Sequence, residues 1–173
     1  WLTNIEKAKE QAKAEKKLVL LEFTGSDWCP PCKALKKNVF DTDKFKAYAK
    51  ENLVLVELDF PRDKSKITEE QAAYNRAKAK KFGVSGYPTV FLLDASGKEL
   101  MKKVGFGRGV TVDNYIGSLK KANQTSANGK VDSAETKTDA LTELLASARK
   151  KYSIGEEAEA IDKAREAAKM GSA

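Results

Sequence analysis

Two short apolar runs, LVLLEF (Leu18–Phe23) and LVLVELDF (Leu53–Phe60), are separated by a single helical pattern, and this arrangement most restricts what the chain can fold into. Each run has the length of a strand and is apolar enough to be buried. Two such strands joined by a helical crossover lie parallel and need helices over their faces, so an α/β architecture is expected. The crossover opens at Pro31 with Leu35, Val39 and Phe40 on one side, and a bend or restart is expected near Asp41–Asp43 before Phe45 and Tyr48. Pro61 ends the second run because it has no N–H to donate.

The flanks complete a domain. TNIE (Thr3–Glu6) has capping-box spacing, and Ile5, Ala8 and Ala12 recur on one face, which predicts a first helix to about Lys16. A third helix is expected over Glu69–Lys81. After it, GVSGYPTVFLLDASGKELMKKVG reads as strand, turn and strand, with the turn at Asp94–Gly97, so the last two strands are antiparallel. A final helix is expected over Val112–Ala122. The sum is a mixed four-stranded sheet flanked by helices, spanning 1–122. Beyond it, 123–138 is polar and reads as a linker, and 139–173 carries two amphipathic stripes around Gly155 that predict a helix hairpin. That hairpin has too little apolar surface to fold alone and is expected to dock on the domain, on a second copy of the chain, or on a partner.

Composition removes several function classes. The 173 residues include no histidine, so Ser-His-Asp and Cys-His nucleophilic machinery is absent, and a zinc site completed by imidazole is absent with it. A net charge of +7 raises the question of nucleic acid. The lysines, however, are interleaved with Glu, Gln and Ala along helical patterns, as on a solvated face, so no nucleic-acid partner is expected. No run of about 18 apolar residues occurs, so no membrane-spanning segment is expected. The chain begins at Trp1 without an initiator Met or a leader, which implies that any targeting segment was removed or lies outside this sequence.

Both cysteines lie in SDWCPPCK, where Cys29 and Cys32 flank Pro30 and Pro31 at the start of the crossover helix. Disulfide exchange needs a thiolate near neutral pH, and a helix N-terminus supplies unpaired N–H groups and the positive end of the backbone dipole. Cys29 at that end is the expected exposed nucleophile, and Cys32, one turn on, is the expected resolving thiol. The prolines tune the site, since neither has an N–H and Cys32 N–H is left as the donor to the first sulfur. Two other readings stand beside this one: a metal clip shared between molecules, and a pair of inert buried thiols.

The order of elements, WCPPCK after a buried strand, and GYPT (Gly86–Thr89) opening a later strand together resemble the thioredoxin fold. FTGSDWCPPCK is most similar to bacterial thioredoxin-like proteins related to the C-terminal domain of the thiol:disulfide interchange protein. The resemblance covers about Trp1–Ala122, with the extra edge strand of full-length thioredoxin expected to be missing. It implies a thiol:disulfide oxidoreductase that needs no cofactor, because the dithiol carries the electrons. It implies protein disulfide or dithiol substrates and an upstream thiol donor. It also implies a cis Pro88 facing the cysteines, a Tyr87 backbone that pairs with substrate, Gly86 beside it, and Trp28 as an apolar wall of the groove. Phe106 is the expected opposite rim. Glu22, a carboxyl within LVLLEF, resembles the buried acid that takes the proton of the resolving cysteine, although the chain has Glu for Asp and one additional residue before Trp28. A Glu reaching solvent at a strand end is the other reading, and Val54–Glu57 offers no lysine to partner it. The missing histidine between the cysteines favours a reductant; a more oxidising oxidase or isomerase, and a non-catalytic binding module, are the alternatives. Relatives sharing FTGSDWC are commonly exported, which points to the periplasm, with the cytoplasm as the alternative.

Overall fold

The computed structural model describes residues 1–125. The expected linker beyond that point and the expected helix hairpin lie outside the described residues. Helix α1 (Ile5–Glu15) precedes strand β1 (Leu18–Thr24). Helix α2 (Pro30–Leu35) runs into a single widened turn at Lys36–Phe40, and α3 (Asp43–Asn52) restarts after it. Then come β2 (Leu53–Asp59), α4 (Glu69–Lys81), β3 (Thr89–Leu93) and β4 (Glu99–Val104). A last helix, α5, occupies 112–125, so 123–125, expected to open the linker, are helical instead.

The sheet order is β2-β1-β3-β4, with β1 parallel to β2 and antiparallel to β3, and β3 antiparallel to β4. This is the expected mixed sheet. Alternation along β1 sends Val19, Leu21 and Phe23 to one face, where they bury Ile5, Ala8 and Ala12 of α1. Leu20 points to the other face, against Leu35, Val39, Phe45 and, from α5, Tyr115 and Leu119. β1, central and covered on both sides, is thus buried along nearly its whole length. The hairpin turn closes at Gly97, whose φ of 94° requires glycine, while Asp94 Oδ1 accepts from Ser96 N (2.8 Å) and Lys98 N (3.0 Å).

Two local expectations are corrected. The N-cap of α1 is Asn4, not Thr3: Asn4 Oδ1 accepts from Glu6 N at 2.9 Å and Lys7 N at 3.0 Å, so one short carboxamide satisfies two free donors of the first turn. The extra edge strand is not wholly missing either. Leu2 forms one parallel bridge to Val56, through Leu2 N to Leu55 O (2.8 Å) and Glu57 N to Leu2 O (2.9 Å).

Asn75 joins α4 to the end of β2. It is buried, its Nδ2 donates to Asp59 O at 2.7 Å, and its Oδ1 accepts from Gln71 Nε2 at 2.7 Å. Asn75→Ala leaves the Asp59 carbonyl without that partner and is expected to cost about 1–3 kcal/mol of stability in urea denaturation. A loss under about 0.5 kcal/mol would mean that water replaces the amide at no cost.

Candidate active site

The site forms where β1 and β2 end together. Their register pairs Thr24 with Asp59, so the residues that follow, 25–28 and 60–63, leave the sheet side by side and are pinned to one another. Ser26 donates to Asp59 through its N (2.9 Å, to Oδ1) and its Oγ (2.6 Å, to Oδ2). The Asp27 carboxylate accepts from Arg62 N (3.0 Å) and Asp63 N (2.9 Å), and these two N–H groups hold its carboxyl below the usual range. Trp28 Nε1 donates to Phe60 O at 2.8 Å.

These bonds fix the indole beside the cysteines. Trp28 is half-buried, meets the Tyr87 ring edge-on at 5.7 Å between centroids, and has the Arg62 guanidinium 5.1 Å over its face. Phe60 closes the aromatic group against Tyr87 at 5.2 Å. Gly25 makes the close approach possible, because a Cβ there would lie 2.5 Å from Trp28 Cε2. Trp28, Tyr87, Phe60 and Arg62 therefore form one wall, of which the sequence indicated only the first two.

Cys29 is the N-cap of α2, with Pro30 and Pro31 in the first two helical positions. Cys32 N–H donates to Cys29 Sγ at 3.3 Å, so sulfur occupies the position that a Ser or Asp oxygen fills at an ordinary cap. The two sulfurs are bonded to one another, with Cα atoms 5.3 Å apart. Both residues are only 2% exposed. The expectation of an exposed Cys29 is thus not met in this oxidised form, in which its Sγ is bonded to buried Cys32 while Pro30 beside it is exposed.

The Tyr87–Pro88 peptide is cis, and Pro88 is buried. Gly105 N donates to Pro88 O at 2.7 Å, which ties the loop after β4 to the proline loop. Phe106, the expected opposite rim, is half-buried and packs against the core cluster that contains Leu20, Leu35 and Leu92. Gly86 meets no steric demand: a Cβ there would contact nothing, and its carbonyl accepts from Thr89 Oγ1 at 2.7 Å.

Glu22 is buried, 2% exposed, on the sheet face that carries α2, so the reading of a Glu reaching solvent is corrected. A central strand covered on both faces gives its side chain no path outward. Burial pushes its carboxyl up to about 8, with the neighbouring Glu57 carboxylate adding to the rise, while the Lys36 ammonium and the Thr24 hydroxyl act the other way. Glu22 Oε1 and Tyr115 Oη are both buried without a hydrogen-bond partner among the described residues. Burial, and after it Glu22, raises the Tyr115 hydroxyl as well. The lysine absent from β2 is supplied by the helix: Lys36 Nζ stands 3.9 Å from Glu57 Oε2.

A disulfide closed across the first turn of a helix, beside an aromatic wall, is the arrangement of a thiol–disulfide exchange site. The model of the thioredoxin-like domain family matches residues 5–123, and the chain belongs to that family. The disulfide bond reductase DsbH of Chlamydia pneumoniae is 36% identical over 115 residues, which cover 66% of this chain and 68% of that protein. The thiol:disulfide interchange protein DsbD of Ralstonia nicotianae is 30% identical over 122 residues, 70% of this chain but 18% of that much longer protein. A solved structure of a DsbH oxidoreductase superposes with a TM-score of 0.64 at 32% identity, covering 70% of this chain and 83% of that one. With its paired Cys29 and Cys32, the chain is homologous to these proteins as a thiol:disulfide oxidoreductase. Among the described residues no helix is long and apolar enough to cross a membrane.

Proposed function

We propose that the chain is a reductant of protein disulfides. In the reduced form, the Cys29 thiolate attacks one sulfur of a substrate disulfide, forming a mixed disulfide and releasing the other substrate sulfur as thiolate. Cys32 then loses its proton to the Glu22 carboxylate and attacks Cys29 Sγ. This forms the Cys29–Cys32 disulfide and releases the second substrate sulfur, so two electrons have passed from the enzyme to the substrate. A carboxyl near 8 suits the second step, because a base close in pKa to a thiol exchanges protons with it more effectively than an ordinary carboxylate does. Trp28 and Tyr87 line the groove, with the backbone of Gly86 and Tyr87 before Pro88 available to an extended substrate segment. An upstream thiol donor resets the pair. The likeness to proteins named as a disulfide bond reductase and as thiol:disulfide interchange proteins supports an exported, periplasmic setting in which such traffic occurs.

The observation that carries the direction is the cap on Cys29. One backbone N–H, that of Cys32, reaches its sulfur, and no charged residue lies between the cysteines to stabilise the thiolate further. A thiolate stabilised this little leaves the reduced form free to give up electrons. Equilibration in glutathione or dithiol redox buffers, with alkylation and mass counting of thiols, is expected to give a potential near about −270 mV. A value nearer about −120 mV would make the protein an oxidant and overturn this reading.

A further inference from the structure

Glu22 and Glu57 are register partners in the parallel pair β1–β2, so their side chains stand next to each other on one face of the sheet. Adjacent strands lie about 4.8 Å apart, a separation at which two buried carboxylates do not ionise together freely. The two are not equivalent. Glu22 is 2% exposed, and its Oε1 has no partner that would stabilise a charge. Glu57 is half-buried and has an ammonium group, Lys36 Nζ, 3.9 Å from Oε2. Lys36 follows Cys32 by one turn, its N–H donating to the Cys32 carbonyl, so the cation stands on the redox helix itself.

We propose that Glu22 and Glu57 act as a cross-strand carboxyl pair that takes up a single proton, the one Cys32 gives up as the disulfide closes, and that Lys36 directs this proton to Glu22 by keeping Glu57 ionised. Lys36 and Glu57 are then positioning residues for the proton that Cys32 gives up. The inference rests on the reading of Glu22 as that proton's acceptor. It reverses the simplest arrangement for a buried acid, a cation on the next strand: here the next strand supplies a second acid and the helix supplies the cation.

The other groups around the pair are compatible with this. Toward Glu22 face Thr24 on its own strand, Glu57 and Asp59 from β2, Lys36 from the helical run, and Tyr115 from α5, while its β3 partner Val90 is apolar. Toward Glu57 face Lys36, Asp59, Asp41 and the Trp1 amine. Both Asp59 carboxylate oxygens are already engaged by Ser26. Lys36 is the cation that acts on both carboxyls, and burial raises both of them.

The test is the upper titration step of the pair, followed by infrared or carbon NMR spectroscopy of glutamate-labelled protein in the oxidised state, where no cysteine titrates. Removing the cation in Lys36→Met makes the doubly ionised pair costlier, so the step moves up by roughly half a unit to one unit. Removing the second acid in Glu57→Gln moves it down by a similar amount, and Lys36→Arg leaves it in place. Opposite signs are the signature, because a merely structural role would shift both variants alike or neither. Shifts of the same sign, or an unmoved step in Lys36→Met, overturn the proposal, and Lys36 is exposed enough that this variant is expected to fold. Reductase turnover against pH is the second readout. If the spectroscopic step moves with the predicted signs while the turnover profile does not follow, the carboxyl pair stands and Glu22 is removed from the catalytic reading.

Discussion

Cys29→Ser is expected to lose disulfide reduction by a factor of at least about 10³, measured as insulin reduction with a small dithiol regenerating the enzyme. A serine hydroxyl at the same cap keeps the helix start, since oxygen is a better N-cap acceptor than sulfur, but it has no accessible anion near neutral pH. The fold should therefore survive while the chemistry does not, and the circular dichroism and melting of the variant serve as the control. Cys32→Ser separates the two roles. Its Cys29 still attacks, but nothing resolves the mixed disulfide, so the protein should accumulate covalently bound to substrate and turn over no faster than Cys29→Ser. Turnover of Cys29→Ser within about tenfold of the parent would sink the enzymatic reading and leave the fold as a binding module.

Much of this was visible in the sequence because it depends on neighbouring residues. The two runs LVLLEF and LVLVELDF mark parallel strands, CPPC marks a helix start, and GYPT marks the proline loop, each within a few positions. What was not visible depends on register. That Phe60 and Arg62 belong to the active-site wall, and that Asp27 pins their loop, follows only once Thr24 is paired with Asp59, since that pairing sets which loop residues meet. Glu22 could not be assigned to the interior from periodicity, because β1 is covered on both faces and the polar alternation of a half-exposed strand is absent. Lys36 is not legible as the neighbouring cation for a related reason: it stands on the helical run after Cys32, 21 positions before Glu57, and meets that carboxylate of β2 only through the fold. The Leu2 bridge shows the limit most simply, since one residue of pairing has no pattern to read.

The burial of Glu22 has its largest measurable consequence in stability rather than in rate. Its carboxyl is raised from the ordinary 4.5 to about 8 in the folded state, so the folded protein binds this proton more tightly than the unfolded chain does. Below the unfolded value both states are protonated and the group costs nothing; as pH rises from there, the unfolded chain ionises freely while the folded one must hold a buried proton or a buried charge. Stability is thus lost between about 4.5 and about 8, and the full loss stands above the folded value. That interval corresponds to roughly 5 kcal/mol. Glu22→Gln cannot ionise. In urea denaturation the difference between the two proteins should accordingly change by that amount from about pH 4.5 to about pH 9, with the variant gaining on the parent throughout. Glu57 titrates in both proteins, so it largely cancels in the comparison. Parallel stability curves for parent and variant would mean that Glu22 is not held neutral by burial, and the proton route from Cys32 would have to be sought elsewhere. A divergence in the predicted direction would mean that the protein retains in its central strand a carboxyl that destabilises it at neutral pH, as expected if the chemistry of Cys32 is what that residue serves.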